Sequence, residues 1–161
     1  MGRKRTIVAS VATAIFVCLI AVAFFLMRAD DETGKATDCQ TVDELFAEWN
    51  DTVGAAERKL TDSGSGREDT LALAAAEADM ASKIRKSGEG VQSPDIAELL
   101  DEWATGADQI AQGREEQIND PDRDVTAPAP RGYVEGSIAA QTATSNLVTH
   151  CPAARQADTD S

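Results

Sequence analysis

The sequence predicts an all-α protein in which a single N-terminal transmembrane helix precedes an extracytoplasmic up-down-up-down four-helix bundle closed by one disulfide. Three observations support this prediction. Residues 6–27 form an uncharged, mostly apolar run of 22 residues. Apolar residues in four later segments recur at helical spacing, and Gly, Ser and Pro separate those segments. Cys39 and Cys151 bracket nearly all of this periodic sequence.

The apolar run is long enough to cross a membrane, because a helix rises about 1.5 Å per residue and the hydrocarbon core is about 30 Å thick. Three cations at residues 3–5 precede it and three anions at residues 30–32 follow it. Positive charge stays on the cytoplasmic side. We therefore expect a cytoplasmic stub at 1–5, an anchor at 6–27 and an outer juxtamembrane linker at 28–38. The alternative is a signal peptide whose cleavage releases a secreted protein.

Small residues recur every four positions within the predicted anchor, at Ser10, Ala14 and Cys18. This spacing lets two membrane helices approach closely, so it offers a route to a homo-oligomer. The alternative interpretation is that small residues are common in any membrane helix.

Charge restricts the partners of the outer part. The whole chain carries −13, and residues 28–161 carry −16 because the three cations at 3–5 precede the anchor. Such a surface repels phosphate backbones and anionic lipid headgroups, so we expect no nucleic-acid binding. The chain has 28 Ala and 10 Arg against 5 Lys and 3 Asn, a preference typical of GC-rich codons. We therefore expect a bacterial source and a location in the cell envelope.

The two outer cysteines are predicted to form a disulfide, because exported compartments are oxidising. A metal site that also used His150 would fall short of the four ligands of structural zinc. A Cys–His nucleophile would lack a third residue to orient the histidine. Both remain alternatives, but we expect no metal, no cofactor and no catalytic residue.

The first two helices are predicted at about 41–61 and 67–86. Thr41 and Glu44 have the spacing of a capping box at the start of the first helix. Anions open the second helix and cations close it, as the helix dipole favours, and Gly88 and Gly90 then stop it. The apolar stripes of the two helices are Val42, Leu45, Phe46, Trp49, Val53, Ala56 and Leu60, and then Leu73, Ala76, Met80 and Ile84.

The third helix is predicted from Ser93, as its N-cap, and Pro94 to about residue 118. Arg114 lies on its apolar face, which suggests that this end is wet or salt-bridged. Gly106 and Gly113 should weaken the helix by roughly 1 kcal/mol each relative to Ala. The stripe comprises Ile96, Leu99, Leu100, Trp103, Ala107, Ile110 and Ile118.

A loop at 119–132 follows, in which Asp120, Asp122 and Asp124 have the spacing that opens a calcium loop. Val125 and Arg131 stand where such a loop needs Gly and Glu. An acidic, solvated loop is therefore favoured, and calcium binding stays open.

The fourth helix is predicted at about 133–150 with a broad, partly polar buried face, because Val134 and Ile138 lie beside its stripe of Tyr133, Ala140, Thr144, Leu147 and Cys151. Residues 152–161 should be a disordered tail. Four antiparallel helices place both cysteines and the 88–92 turn at one end of a 39–151 bundle.

Trp49 and Trp103 lie on the apolar faces of the first and third helices and are candidates for core packing or for lining a pocket. Three functional hypotheses follow. The first is a non-enzymatic, membrane-anchored protein that presents an acidic bundle to an envelope protein partner. The second is a small-molecule sensing or binding domain that acts through a separate membrane partner. The third, an enzyme, would need carboxylates such as Glu98, Asp101, Glu102 and Glu115, whose positions on polar helix faces favour solvation.

Overall fold

The computed structural model describes residues 34–62, 66–120 and 128–152, and four helices account for nearly all of them. The first, α1, occupies every described position from 34 to 62. It is followed by α2 (Arg67–Gly88), α3 (Pro94–Asn119) and α4 (Arg131–His150). No described residue lies in a strand. The predicted all-α, four-helix architecture is confirmed.

The helices alternate in direction, as contacts at the two ends show. At one end, here called the cysteine end, Cys39 of α1 meets Cys151 after α4, and Asp38 contacts the α2–α3 turn at Gln92 and Ser93. At the opposite end, here called the far end, α1 meets α2 and α2 meets α3. The far-end contacts are Lys59–Asp69, at 3.0 Å, and Arg67 to the Ile118 carbonyl oxygen, at 2.7 Å.

The core lies along the predicted stripes. Trp103 is almost fully buried at its centre. Phe46, Trp49, Ala56 and Leu60 of α1 are partly buried against it. The largest buried apolar side chains are Val42, Leu45, Val53, Leu73, Met80, Ile84, Ile96, Leu100, Trp103 and Leu147.

The start of α1 differs from the prediction. Residues 34–40 are already helical, so Thr41 lies inside the helix and does not cap it. Its hydroxyl donates a hydrogen bond of 3.3 Å to the carbonyl oxygen of Thr37 one turn earlier. Glu44 accepts a bond from the Gln40 side chain instead of completing a capping box. The expected box was wrong because the residues before Thr41 continue the helix.

The start of α3 lies where the sequence predicted it, but the expected capping hydrogen bond is not formed. Ser93 is the N-cap residue and Pro94 follows it inside the first turn. The Ser93 hydroxyl makes no capping hydrogen bond. Its own backbone N–H donates to a carboxylate oxygen of Asp38 on α1 at 2.8 Å, so the side-chain contact at this position comes from another helix.

The buried face of α4 is narrower than predicted. Its buried residues are small apart from Leu147: Gly136, Ala140 and Ala143. Val134 is 44% exposed and Ile138 is 61% exposed, so neither belongs to the core. The expectation of a broad buried face was wrong because the small residues bring α4 so close to α3 that only a thin stripe is covered.

Among residues 34–62, 66–120 and 128–152, no helix combines the length and apolar character that crossing a bilayer requires. The anchor predicted at 6–27, with Ser10, Ala14 and Cys18, lies outside the described residues. So do most of the 28–38 linker, the 121–127 part of the calcium-like loop, and the tail after residue 152.

Candidate functional site

The cysteine end is held by a crosslink. The sulfur atoms of Cys39 and Cys151 lie 1.97 Å apart and their Cα atoms 5.2 Å apart, within the range that disulfides occupy. The prediction that four antiparallel helices bring these residues together is confirmed. Because each sulfur is bonded to the other, neither is free to ligate a metal or to act as a nucleophile. His150 contributes its carbonyl oxygen here, 3.8 Å from the Cys39 sulfur.

Asp38 adds a second connection at the same end. Its two carboxylate oxygens accept hydrogen bonds from the backbone N–H groups of Gln92, at 3.1 Å, and Ser93, at 2.8 Å. The residue is only 3% exposed. These N–H groups precede α3, where the helix dipole also favours an anion. Asp38 could not be singled out from the sequence because its partners are 54 and 55 positions away.

The aromatic residues form one cluster. The Trp49 ring lies 5.5 Å from the Trp103 ring between centroids, and the Phe46 ring stacks on Trp103 at 5.0 Å. The structure therefore brings Trp49 and Trp103 into contact. Since the rings contact each other directly, the space between them is filled by side chains, and their arrangement is that of a core.

A shallow groove runs between α3 and α4. Its part nearest the cysteine end has a volume of about 260 Å³, and the adjoining part has about 360 Å³. The two parts adjoin at Glu102, which lines both. The remaining lining residues are Asp95, Glu98, Leu99, Asn146 and His150 in the first part, and Asp101, Thr105, Gln109, Ala139 and Thr142 in the second.

The two walls of this α3–α4 groove differ in charge. The α3 wall carries Asp95, Glu98 and Glu102, and among the described residues none of these three takes part in an ion pair. Asp101 is 3.7 Å from Arg85. The α4 residues that line the groove are Ala139, Thr142, Asn146 and His150, and none of them is acidic. The groove is therefore one-sidedly acidic.

Three of the four carboxylates considered for catalysis, Glu98, Asp101 and Glu102, line this groove, while Glu115 lies further along α3. All four are exposed. Among the described residues, no three His, Cys, Asp or Glu side chains are grouped so that they could hold a metal ion. The groove can offer negative charge and hydrogen-bond acceptors to a ligand from outside.

Beside the groove, α3 and α4 approach each other closely at glycines. A Cβ atom on Gly106 would lie 2.7 Å from the Gly136 carbonyl oxygen, and one on Gly136 would lie 2.6 Å from the Gly106 carbonyl oxygen. A Cβ on Gly113 would lie 2.7 Å from the Cβ of Tyr133. These contacts place the backbones of α3 and α4 against each other. The glycines that weaken α3 on its own thus permit the packing that forms the groove.

A buried ion pair lies nearer the far end. The Arg114 Nε–H group donates to both carboxylate oxygens of Glu77, each at 2.9 Å. Of the two alternatives expected for this end of α3, wet or salt-bridged, the structure shows the salt bridge, whereas its partner Glu77 was not predicted. A signal existed, because Leu73, Glu77, Met80 and Ile84 follow the spacing of 4, 3 and 4 that defines the buried stripe of α2.

Asp43 is the other carboxylate with a perturbed environment. Its Oδ1 atom is buried and has no hydrogen-bond partner within the described part of the chain. Burial raises the pKa of this carboxyl. It lies one turn after Cys39 on α1, so the cysteine end holds two acidic side chains of different character: Asp38, which is fully bonded, and Asp43, which is not.

Comparisons with protein-family models, with curated proteins and with solved structures found no match for this chain.

Proposed function

We propose that this protein is a non-enzymatic, membrane-anchored interaction module of a bacterial cell envelope. Its bundle would bind a cationic segment of a partner protein in the α3–α4 groove. The observation that supports this most directly is the acidic wall of Asp95, Glu98 and Glu102, none of which is ion-paired with another residue that the structure describes. A basic helix or extended segment would place Lys or Arg side chains against that wall and uncharged side chains against α4.

The charge of the whole bundle supports the same proposal. The described residues contain 21 Asp and Glu against nine Lys and Arg. A field of one sign steers oppositely charged partners toward the surface and repels like-charged ones, and it does so less at high salt. The uncharged run at 6–27 supports the location, since it would hold such a surface beside the membrane.

Site-specific photo-crosslinking in the full chain tests the groove. A crosslinker in place of Thr105, which is exposed and lines the groove, should capture a specific envelope protein. The matched control replaces Asp79, which is exposed on α2 outside the groove. Equal capture from both positions, or capture from neither across repeated preparations, would contradict the proposal.

Charge reversal tests the chemistry of the interaction. Changing Glu98 and Glu102 together to Lys should abolish capture at position 105, because the acidic wall becomes positive. Changing Glu115 and Glu116 to Lys alters the net charge equally at exposed α3 positions outside the groove. That control should reduce capture only slightly. If both double variants lose capture to the same degree, net charge and not the groove governs binding.

The anchor is tested separately by adding protease to intact cells and to spheroplasts. We expect a tag at the C-terminus to be accessible from outside and the protein to remain with the membrane fraction after carbonate extraction. Release of the protein into the medium would instead support cleavage of the N-terminal segment.

A further inference from the structure

Arg114 of α3 interacts with side chains from all three other helices. Its Nε–H group is hydrogen-bonded to Glu77 of α2. A terminal nitrogen lies 4.0 Å from a carboxylate oxygen of Glu57 on α1. Its guanidinium carbon lies 5.3 Å from the centroid of the Tyr133 ring on α4. The position of this one guanidinium therefore bears on how all four helices meet.

The three charged groups differ strongly in exposure. The Glu77 side chain is 3% exposed, Arg114 is 16% exposed and Glu57 is 57% exposed. Taking a carboxylate out of water is costly, and a bonded guanidinium offsets only part of that cost. Arg114 is thus hydrogen-bonded to the buried carboxylate of Glu77 and lies beside the solvated carboxylate of Glu57.

Burial raises the pKa of Glu77 to about 7, against the opposing effect of Arg114, and the negative charge of Glu57 raises it further. The charged groups that face Glu77 are Glu57 from α1 and Arg114 from α3, and Tyr133 of α4 lies behind Arg114. A proton can therefore be taken up at this position near neutral pH, where ordinary carboxyls stay ionised.

We propose that Glu77 and Arg114 form a proton-operated latch, in which protonation of Glu77 transfers Arg114 from the buried carboxyl of α2 to the exposed carboxylate of α1. The proton comes from solvent and binds a carboxylate oxygen of Glu77, and Arg114 keeps its charge. Glu57 is then the nearest anion. As the guanidinium turns toward it, the contact with the Tyr133 ring changes, and the tie between α2 and α3 is replaced by one between α1 and α3.

The latch is independent of the groove proposal, since none of its residues lines the groove. Its consequence is that mild acidification exchanges an α2–α3 tie for an α1–α3 tie near the far end, while the disulfide holds the cysteine end. The device would report the pH of the compartment that the bundle occupies.

Nuclear magnetic resonance of the full chain in detergent micelles tests the latch. Tyr133 is the single tyrosine of the sequence, so a 13C-labelled tyrosine ring gives one set of signals. We expect the ring signals of Tyr133 and the Nε–H signal of Arg114 to shift together between pH 5.5 and 8.5, with a midpoint near 7.

Three variants sharpen the test. Glu77→Gln should abolish the shift of the Tyr133 signals. Glu57→Gln should move its midpoint to lower pH, because a like charge is removed. The control Glu135→Gln changes an exposed carboxylate that pairs with Arg131 and should leave the curve unaltered. Tyr133 signals that stay constant across this range, or that titrate equally in Glu77→Gln, would overturn the proposal. If Glu77→Gln does not fold, an unmoved midpoint in Glu57→Gln would overturn it.

Discussion

Substituting Gly136 by Ala should destabilise the protein even though Ala is the better helix former. Intrinsic propensity favours Ala in a helix interior by about 1 kcal/mol. The added Cβ, however, would lie 2.6 Å from the Gly106 carbonyl oxygen and 2.7 Å from the Cβ of Gln109. The first of these obstacles is backbone, so α3 and α4 must separate. Overpacking of this kind costs about 1–3 kcal/mol or more, and losses in the adjoining contacts add to it.

We therefore expect the free energy of unfolding to fall by up to about 2 kcal/mol, which is the cost of overpacking less the gain in helix propensity. With urea slopes of about 1–3 kcal/mol per molar, the midpoint should fall by roughly 1 M. The assay is urea denaturation of the full chain followed by far-ultraviolet circular dichroism. Gly132→Ala is the matched control, because it lies in the first turn of α4 and nothing lies within 4 Å of its added Cβ.

The control should be neutral or stabilising by up to about 1 kcal/mol. The reasoning would be refuted if Gly136→Ala raised the midpoint as Gly132→Ala does. That result would show that α3 and α4 do not approach each other through their glycines, and the groove above them would lose its structural basis.

Three further predictions concern the disulfide and two buried carboxylates. Cys151→Ser removes a crosslink that spans 112 positions and should lower the unfolding free energy by about 4–5 kcal/mol on the chain-entropy model. In the unsubstituted folded protein, thiol labelling of both Cys39 and Cys151 without reductant would contradict the crosslink itself. Asp38→Ala leaves two backbone N–H groups without their acceptor and should cost about 2–3 kcal/mol in urea denaturation, with Asp38→Asn, which keeps one acceptor oxygen, losing less. Burial raises the folded-state pKa of Glu77 from 4.5 to about 7, so the folded state binds more protons than the unfolded state between these pH values. The free energy of unfolding should therefore decline as pH rises through this range, by at most about 3 kcal/mol. A decline of equal size in Glu77→Gln would assign the effect to other groups.

The helices and their order followed from the sequence because periodicity and cysteine placement are separate signals that agree. Stripes such as Leu73, Met80 and Ile84 report which face is buried, and the cysteines report which ends meet. The ends of the helices were harder to predict from the sequence. The residues before Thr41 continue α1, and the hydroxyl–carboxylate spacing of a capping box also occurs inside helices, where it has no such meaning.

The candidate sites depended on tertiary contacts that composition does not reveal. Gly106 and Gly113 looked like weak points in α3, and only the approach of α4 shows that their missing side chains are the basis of the packing. Glu77 could have been found, since it interrupts an apolar stripe with one carboxylate, and Arg114 on the facing stripe was its natural partner. Asp38 carried no local signal, because the groups it bonds belong to a distant turn.

The position of the disulfide also governs how the bundle responds to tension. Cys39 and Cys151 join the start and the end of the packed chain at one point. A pulling force applied to the residues on either side of this pair passes through the sulfur–sulfur bond and leaves α2 and α3 outside the load path. Reduction would release the 112-position segment, which extends by roughly 390 Å at about 3.5 Å per residue. Under oxidising conditions the bundle is mechanically a short, inextensible tether, and reduction converts the same chain into an extensible one.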